Sequence, residues 1–567
     1  MNDHPTPVPA DVDVAVVGAG FAGLYALHLM RQQGMSCHVF EAAGDVGGTW
    51  YWNRYPGARC DVESVDYCYS FSEEIHREWA WSERFATQPE ILRYAEFVAD
   101  RLDLRRDISF GAQVGSVEWD GSSSTWSLAT RDGRGTRARF VVAAVGLLSA
   151  SNTPAIPGLD RFAGRVLHTG HWPHEGVDFA GRQVAVIGTG SSGVQAIPEI
   201  AAAAAHTTVF QRTANFVMPA RNRPLTAREV FHAQGDREFI RQQAEISVAG
   251  YYTAGTGRSA LDDTPEQRAA ELGRRWEIGG TEFVGTYADV ATSREANAIV
   301  SEYVRERIRE TVRDPQVAAR LEPHDHPISS KRPTVGTDYY ETFNRETVEL
   351  VDVRAEPIVE VTEHGVRTAA GEYPADDLVM ATGYDAMTGP LTRMGIRGRD
   401  GLALADAWAD GPRSYLGLAT AGFPNLFTVT GPLSATALTN VMRSIEHHVE
   451  WIAACLDHLR REGVTTIEAD AAAQEQWDQQ VAHVGSYTFY PEVASWYTGG
   501  NIEGKARKLM MWVGGLNTYK QICASVADGG YTGFRLDGAE PARPPEAVTD
   551  EVPEPAPEDL TAAAATP

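Results

Sequence analysis

Two glycine-rich loops constrain this chain more than anything else in its sequence. The first lies in "VDVAVVGAGFAG", where Gly18, Gly20 and Gly23 follow an apolar run and open a stretch with Ala22, Ala26, Leu29 and Met30 at helical spacing. The next apolar run, "CHVF", ends at Glu41. Strand, glycine turn, helix and acidic strand end form the dinucleotide-binding fingerprint. The first glycine permits the tight turn, the second lets a pyrophosphate approach the backbone, and the helix N-terminus supplies partial positive charge.

The second loop, in "VAVIGTGSSGVQAIPEIAAAAAHTTVFQ", carries Gly188, Gly190 and Gly193 and aligns with the first without a gap. Gly18 to Glu41 spans 23 positions, and so does Gly188 to Gln211. Where the first unit offers a carboxylate to a ribose, the second offers a neutral amide followed by Arg212. A carboxylate there would repel a ribose 2′-phosphate, whereas a guanidinium binds it through charge-assisted hydrogen bonds worth roughly 1.5–3 kcal/mol each. The first unit therefore predicts an FAD site and the second an NADPH site, with electrons passing from nicotinamide to flavin. Pro198 predicts a kink in the second helix.

The acceptor of those electrons is narrowed by cysteine usage. The five cysteines, Cys37, Cys60, Cys68, Cys455 and Cys523, form no CxxC pair, and Cys60 and Cys68 lie too far apart in sequence for a redox-active pair. A disulfide substrate site, a disulfide scaffold and a zinc ribbon are all disfavoured, and a reducing cytoplasm fits. The net charge of -26 opposes binding to nucleic acid or an anionic membrane. No basic-then-apolar leader and no apolar stretch of about 18 residues occurs, so neither secretion nor membrane spanning is expected.

At 567 residues the chain predicts two or three domains. The expected fold is α/β, with two Rossmann-like dinucleotide-binding domains and a helical insertion in the NADP domain. Residues 1–149 and 383–538 would form the FAD domain, 150–220 and 329–382 the NADP domain, and the charged amphipathic stretch 221–328 the insertion. Residues 539–567, rich in Pro, Glu and Ala, read as a disordered tail.

Just upstream of the second loop, "FAGRVLHTGHWP" (162–173) places Phe162, Gly164, His168, Trp172 and Pro173 at fixed offsets. The segment resembles the FxGxxxHxxxWP fingerprint of the type I Baeyer–Villiger monooxygenases and stands where that family has it. The segments "GGTWYWNRYPGARCDVES" (47–64), "KRPTVGTDYYETFNR" (331–345), "ATGYDA" (381–386) and "SWYTGGNIEGK" (495–505) are similar to family segments in the family's order. The resemblance implies that NADPH reduces FAD and that oxygen is captured as a flavin peroxide. This attacks a ketone to give an ester or lactone.

It further implies that Arg332 holds the peroxide anionic, that Asp61 orients Arg332, and that Lys331 joins Arg212 on the 2′-phosphate. Further cofactor contacts are expected from Gly48, Thr49, Trp50, Asp61 and Tyr67 on the flavin side and from Ser191, Ser192, Gln195 and Thr213 on the NADPH side. Trp496 would border the nicotinamide or the substrate, and "GPLSATALT" (431–439) would run along the substrate pocket. His168 and Trp172 would couple the two domains rather than transfer protons. The competing reading is a flavin monooxygenase that oxidises nitrogen or sulfur. No metal is called for, and the sequence sets neither the ketone nor the oligomeric state.

Overall fold

A computed structural model of the chain describes residues 8–251 and 255–539. The expected tail, 539–567, lies outside the described residues apart from its first. Strand β1 (Asp11–Val17) packs Val14 and Val16 into one hydrophobic cluster and Ala15 and Val17 into another, because successive strand residues face opposite sides. A strand covered on both faces must be apolar throughout, which is why "VAVV" shows no alternation. The helix Phe21–Gln32 covers one face.

Strands β2 (Cys37–Phe40) and β3 (Ile108–Ser109) extend the sheet in parallel on one side of β1. On the other side, β4 (Val114–Asp120), β5 (Thr125–Thr130) and β6 (Gly135–Ala143) form an antiparallel meander whose last strand pairs in parallel with β1. Two late strands join the same sheet, Ile396–Arg397 on β4 and Leu426–Thr428 on β6.

The second sheet is wholly parallel. Its spatial order is Val348–Asp352, β9 (His206–Gln211), β8 (Gln183–Ile187), Asp377–Met380 and β7 (Arg165–His168). Val184 and Val186 of β8 face one cluster, and Ala185 and Ile187 the other. The helix Ser191–Ala203 runs unbroken through Pro198, so the expected kink does not end the helix. Buried Val194, Ile197, Ile200 and Ala201 hold it on the sheet where the proline removes one backbone donor.

The two units repeat one another down to single hydrogen bonds. Gly18 N–H donates to Phe40 O at 2.8 Å and Gly188 N–H to Phe210 O at 3.0 Å, while Ala144 and Ala381 donate to Val17 and Ile187, both at 2.9 Å. Gly18 and Gly188 take φ of +104° and +110°, open to glycine at little cost. A Cβ on Gly23 would lie 1.7 Å from Gly18 O, and one on Gly193 2.2 Å from Gly188 O. Each helix can therefore start close against its strand only with glycine there.

Between β9 and Val348–Asp352 lie the helices Ala227–Gly235, Arg237–Ile246, Pro265–Ile278, Arg294–Thr311 and Pro315–Leu321. Capping boxes at Thr226 with Glu229 and at Thr264 with Gln267 start two of them. Leu272, Val300, Val304, Ile308 and Leu321 pack into the cluster that holds Val184 and Val186. The chain passes between the sheets at 147–152 and again at 382–387, and these crossovers bond to each other. Asn152 N–H donates to Gly383 O (2.9 Å), Asp385 N–H to Ala150 O (2.8 Å) and Met387 N–H to Leu147 O (2.9 Å).

This packing separates two glycines of one loop. Gly193→Ala should lower stability by about 1–3 kcal/mol in denaturant unfolding, through the forced contact with a carbonyl. Gly190, with open space around its Cβ position, should tolerate alanine within about 0.5 kcal/mol. Equal losses at both positions would contradict the steric account.

Candidate functional site

One cavity of about 1680 Å³ runs from the first glycine loop to the second. It exceeds the roughly 300–1,000 Å³ of a single small-molecule pocket, as a site for two nucleotides must. Gly18, Gly20, Glu41, Gly48, Thr49, Trp50, Asp61 and Tyr67 line one end, and Gly188, Gly190, Ser191, Ser192, Gln195, Arg212, Thr213 and Lys331 the other. Gly23 and Gly193 lie behind the wall, where they set the helix positions.

At the first end the backbone comes very close to itself. The Cβ position of Gly20 is 3.4 Å from the Cα of Gly48, so the loop can admit a pyrophosphate only without side chains there. Glu41 accepts N–H donors from Ala19 (2.5 Å) and Ala43 (2.7 Å), one on each carboxylate oxygen. Burial raises its carboxyl pKa against the pull of these N–H groups. Each oxygen keeps a lone pair for a ribose hydroxyl. Trp50 Nε1 donates to Tyr67 Oη at 3.2 Å, fixing two of the aromatic walls. Free glycine backbone, a helix N-terminus and an acceptor at the strand end all fit FAD.

At the second end Gln211 turns its amide away from the wall and donates to Arg320 O at 2.7 Å. The end of β9 is left to Arg212 and Thr213. Arg354, just past the neighbouring strand, donates through Nη2 to Thr213 Oγ1 (3.0 Å) and to Asp325 Oδ2 (2.6 Å). Burial pushes the Lys331 ammonium below the usual lysine range, Asp325 opposes that shift, and the charges of Arg354 and Arg212 add to it. Three cations thus converge where a 2′-phosphate would sit, and they fit NADPH. Sequence reasoning missed Arg354, because only the pairing of Asp352 with Gln211 brings it beside Thr213.

Between the two ends, Arg332 meets Asp61 in a two-pronged contact: Nε to Oδ2 at 2.6 Å and Nη2 to Oδ1 at 2.8 Å. Nη1 donates to Ala437 O at 2.6 Å. The side chains are 25% and 20% exposed, and both residues line the cavity. Burial works to raise the Asp61 carboxyl, but the Arg332 charge and hydrogen bonds outweigh it and hold the group below its ordinary value. Burial likewise opposes the Arg332 charge, and Asp61 more than restores it.

Other expected residues bond to segments at some distance in the chain. Gln195 stands on the cavity wall, yet its Oε1 accepts from Tyr55 Oη at 2.8 Å and its Nε2 donates to Arg59 O at 3.1 Å. Its amide is also engaged with the flavin-side segment. His168 Nδ1 accepts from Gly170 N–H (2.9 Å), so the ring proton sits on Nε2, which faces Asn152 O at 3.3 Å. Thr382 Oγ1 reaches the same carbonyl at 2.5 Å. Burial lowers the His168 pKa, keeping the ring neutral, and the residue is off the cavity wall. Trp172 is buried and donates its backbone N–H to Trp52 O at 3.3 Å. Gly164 fits beneath Asp376 O, 2.1 Å from where a Cβ would be. Trp496 lines the cavity, with its ring 4.4 Å from that of Tyr497. Among the described residues no cluster of metal-ligating side chains occurs.

Residues 11–249 match the flavin-binding monooxygenase-like family. A Baeyer–Villiger monooxygenase of Pseudooceanicola batsensis is 41% identical over 541 residues, covering 95% of this chain and 98% of the relative. A phenazine N-monooxygenase of Lysobacter antibioticus is 42% identical over 528 residues, covering 92% and 97%. The solved structure of an oxidised steroid monooxygenase bound to NADP superimposes with a TM-score of 0.89 at 46% identity, covering 93% of this chain and 99% of that one.

The basic end of the cavity generates two expectations. Arg212→Ala should weaken NADP+ by about 10- to 150-fold and NAD+ little, the loss of one charge-assisted contact; equal weakening in calorimetric titrations would remove Arg212 from the phosphate. Because the Lys331 pKa is lowered from that of a free lysine, affinity for NADP+ should decline as pH rises through that lowered value, while that for NAD+ stays level. Lys331→Arg should carry the decline to higher pH.

Proposed function

This chain belongs to the Baeyer–Villiger monooxygenase family, and we propose that it converts a ketone to an ester or lactone with NADPH and dioxygen. It is an FAD-containing, NADPH-dependent monooxygenase. The observation that carries the ketone reading is the Arg332–Asp61 pair on the wall of a cavity shared by both glycine loops. When bound, FAD supplies the electrons of NADPH to dioxygen.

The chain's own residues then control charge. Attack on a carbonyl needs an oxygen nucleophile that stays anionic, in a place where water cannot protonate it. Arg332 provides a permanent cation there, which a buried lysine would not. Of its five N–H donors, Asp61 and Ala437 take three. Asp61 fixes the plane of the guanidinium and balances its charge until an anion arrives. The pair loses its charge only as pH falls through a carboxyl value held below that of a free aspartate.

Oxidation of nitrogen, the activity in the name of one relative, uses an electrophilic oxygen and has no need of this cation. The paired geometry therefore favours the ketone. We assign 1–149 and 383–538 to the flavin domain, 150–220 and 329–382 to the NADP domain and 221–328 to its insertion, with His168 and Trp172 setting their relative position. Glu41 and the Gly48–Trp50 turn would bind FAD, and Arg212, Thr213, Lys331 and Arg354 NADPH. A cytoplasmic location is supported by five buried cysteines that form no disulfide, and no described helix is long and apolar enough to cross a membrane.

Arg332→Ala should lower ester formation by about 100- to 1000-fold, or about 3–4 kcal/mol, the scale of losing an oxyanion donor. Reduction of the bound flavin by NADPH should persist in part. The test offers a ketone and a thioether together and analyses products; undiminished ester from the variant would refute the role of Arg332.

A further inference from the structure

We propose that Asp325 is a positioning residue for coenzyme choice: it holds Arg354 in the orientation that receives a ribose 2′-phosphate, and so favours NADPH over NADH. The inference rests on the NADPH reading of the second cavity end given above. On simple electrostatic grounds Asp325 is misplaced, because a carboxylate near a phosphate repels it. The contacts of its two oxygens account for its presence.

Oδ2 accepts from Arg354 Nη2 at 2.6 Å, and the same nitrogen donates to Thr213 Oγ1 at 3.0 Å. Thr213 lines the cavity and is tied to the second glycine loop, since Thr189 Oγ1 donates to Thr213 O at 3.0 Å. The Arg354 side chain is 55% exposed. A long side chain that free has many rotamers to lose, and one bond to a threonine hydroxyl selects weakly among them. Asp325 supplies the second anchor.

Oδ1 shows what holds Asp325 itself. It meets His326 Nδ1 at 2.5 Å, and the His326 side chain is 3% exposed. A carboxylate only accepts, so the imidazole proton lies on Nδ1. The ring packs edge-on against Phe216, with centroids 5.4 Å apart, and Phe216 is buried just ahead of the strand Val217–Pro219. Two residues before Asp325, Pro323 O accepts from Arg305 Nε (2.8 Å) on the helix Arg294–Thr311. One carboxylate oxygen is thus committed to a buried ring while the other reaches the rim of the cavity. The His326 hydrogen bond, and after it that of Arg354, holds the Asp325 carboxyl well below the usual aspartate range.

A second effect runs in the same direction. The charges that bear on Lys331 are those of Asp325, Arg354 and Arg212, and of these only Asp325 favours the ammonium. His326, which also feels Lys331, is kept neutral by burial. Without Asp325, Arg354 would swing on one anchor and Lys331 would face cations alone. A half-exposed ion pair adds little to the stability of the fold, so the contribution of Asp325 falls on the phosphate that the oriented cations receive.

The test titrates NADP+ and NAD+ calorimetrically into the holoenzyme and into Asp325→Asn, Asp325→Ala, Arg354→Ala and the double variant D325N/R354A, over a range of pH. Both Asp325 variants should bind NADP+ about 10-fold more weakly, the scale of one charge-assisted contact, and NAD+ within about 2-fold of the parent. Their loss of NADP+ affinity with rising pH should begin at lower pH than in the parent, because Lys331 gives up its proton sooner. On the acid side of that titration the double variant should match Arg354→Ala within about 2-fold, since Asp325 acts through Arg354. NADP+ binding that is unchanged or tighter in the Asp325 variants would overturn the proposal, leaving only repulsion between carboxylate and phosphate. Equal weakening of both dinucleotides, or fully additive losses in the double variant, would overturn it as well. A parent that binds NAD+ as tightly as NADP+ would sink the NADPH reading and the proposal with it, whereas a parent preference that the Asp325 variants leave intact sinks the proposal alone.

Discussion

The ion pair between Arg332 and Asp61 joins two distant parts of the chain. Asp61 follows the first glycine unit, and Arg332 stands where the helical insertion returns to the second sheet. Bringing two such charges out of water costs several kcal/mol per ion unless the geometry is good and the remaining polar atoms are satisfied. Here the guanidinium meets its carboxylate side-on and finds a carbonyl at Ala437. That arrangement requires the two sheets, the insertion and the 431–440 loop to be in place together, so much of the fold serves to hold one cation still.

The charge distribution makes sense in the same terms. The chain carries a net charge of -26, yet Arg212, Lys331 and Arg332 are gathered along one cavity. A strongly acidic exterior with a basic interior cleft disfavours polyanions as large as nucleic acid but still focuses field toward a small phosphate-bearing ligand. The depressed Lys331 ammonium records the crowding of like charges and burial before a phosphate neutralises them.

What could be read from the chain alone was what local sterics or local chemistry dictates. Gly23 and Gly193 are required by the carbonyls of Gly18 and Gly188, only a few residues away, and the change from Glu41 to Gln211 and Arg212 sits at a fixed offset within one unit. The Arg332–Asp61 contact was reachable only through the family resemblance, since no short-range pattern links the two positions. Arg354, the engaged amide of Gln195 and the paired crossovers were not legible. Each depends on which strands or segments lie side by side, and parallel pairing between distant stretches leaves no periodic trace. Pro198 leaves the helix continuous, because tertiary packing of Ile197 and Ile200 outweighs one missing backbone donor. That the His168 ring faces a carbonyl in one of the crossovers was not legible either.

The strand Leu426–Thr428 lies against Val141–Ala143, completing the first sheet with residues made long after its other core strands. During synthesis on the ribosome, the N-terminal half of that sheet must wait with an open edge while the intervening second sheet, whose strands all precede residue 381, can close first. The order of maturation is then the reverse of the order of translation. The nascent N-terminal unit is the part most in need of a chaperone's shelter before its last strand emerges.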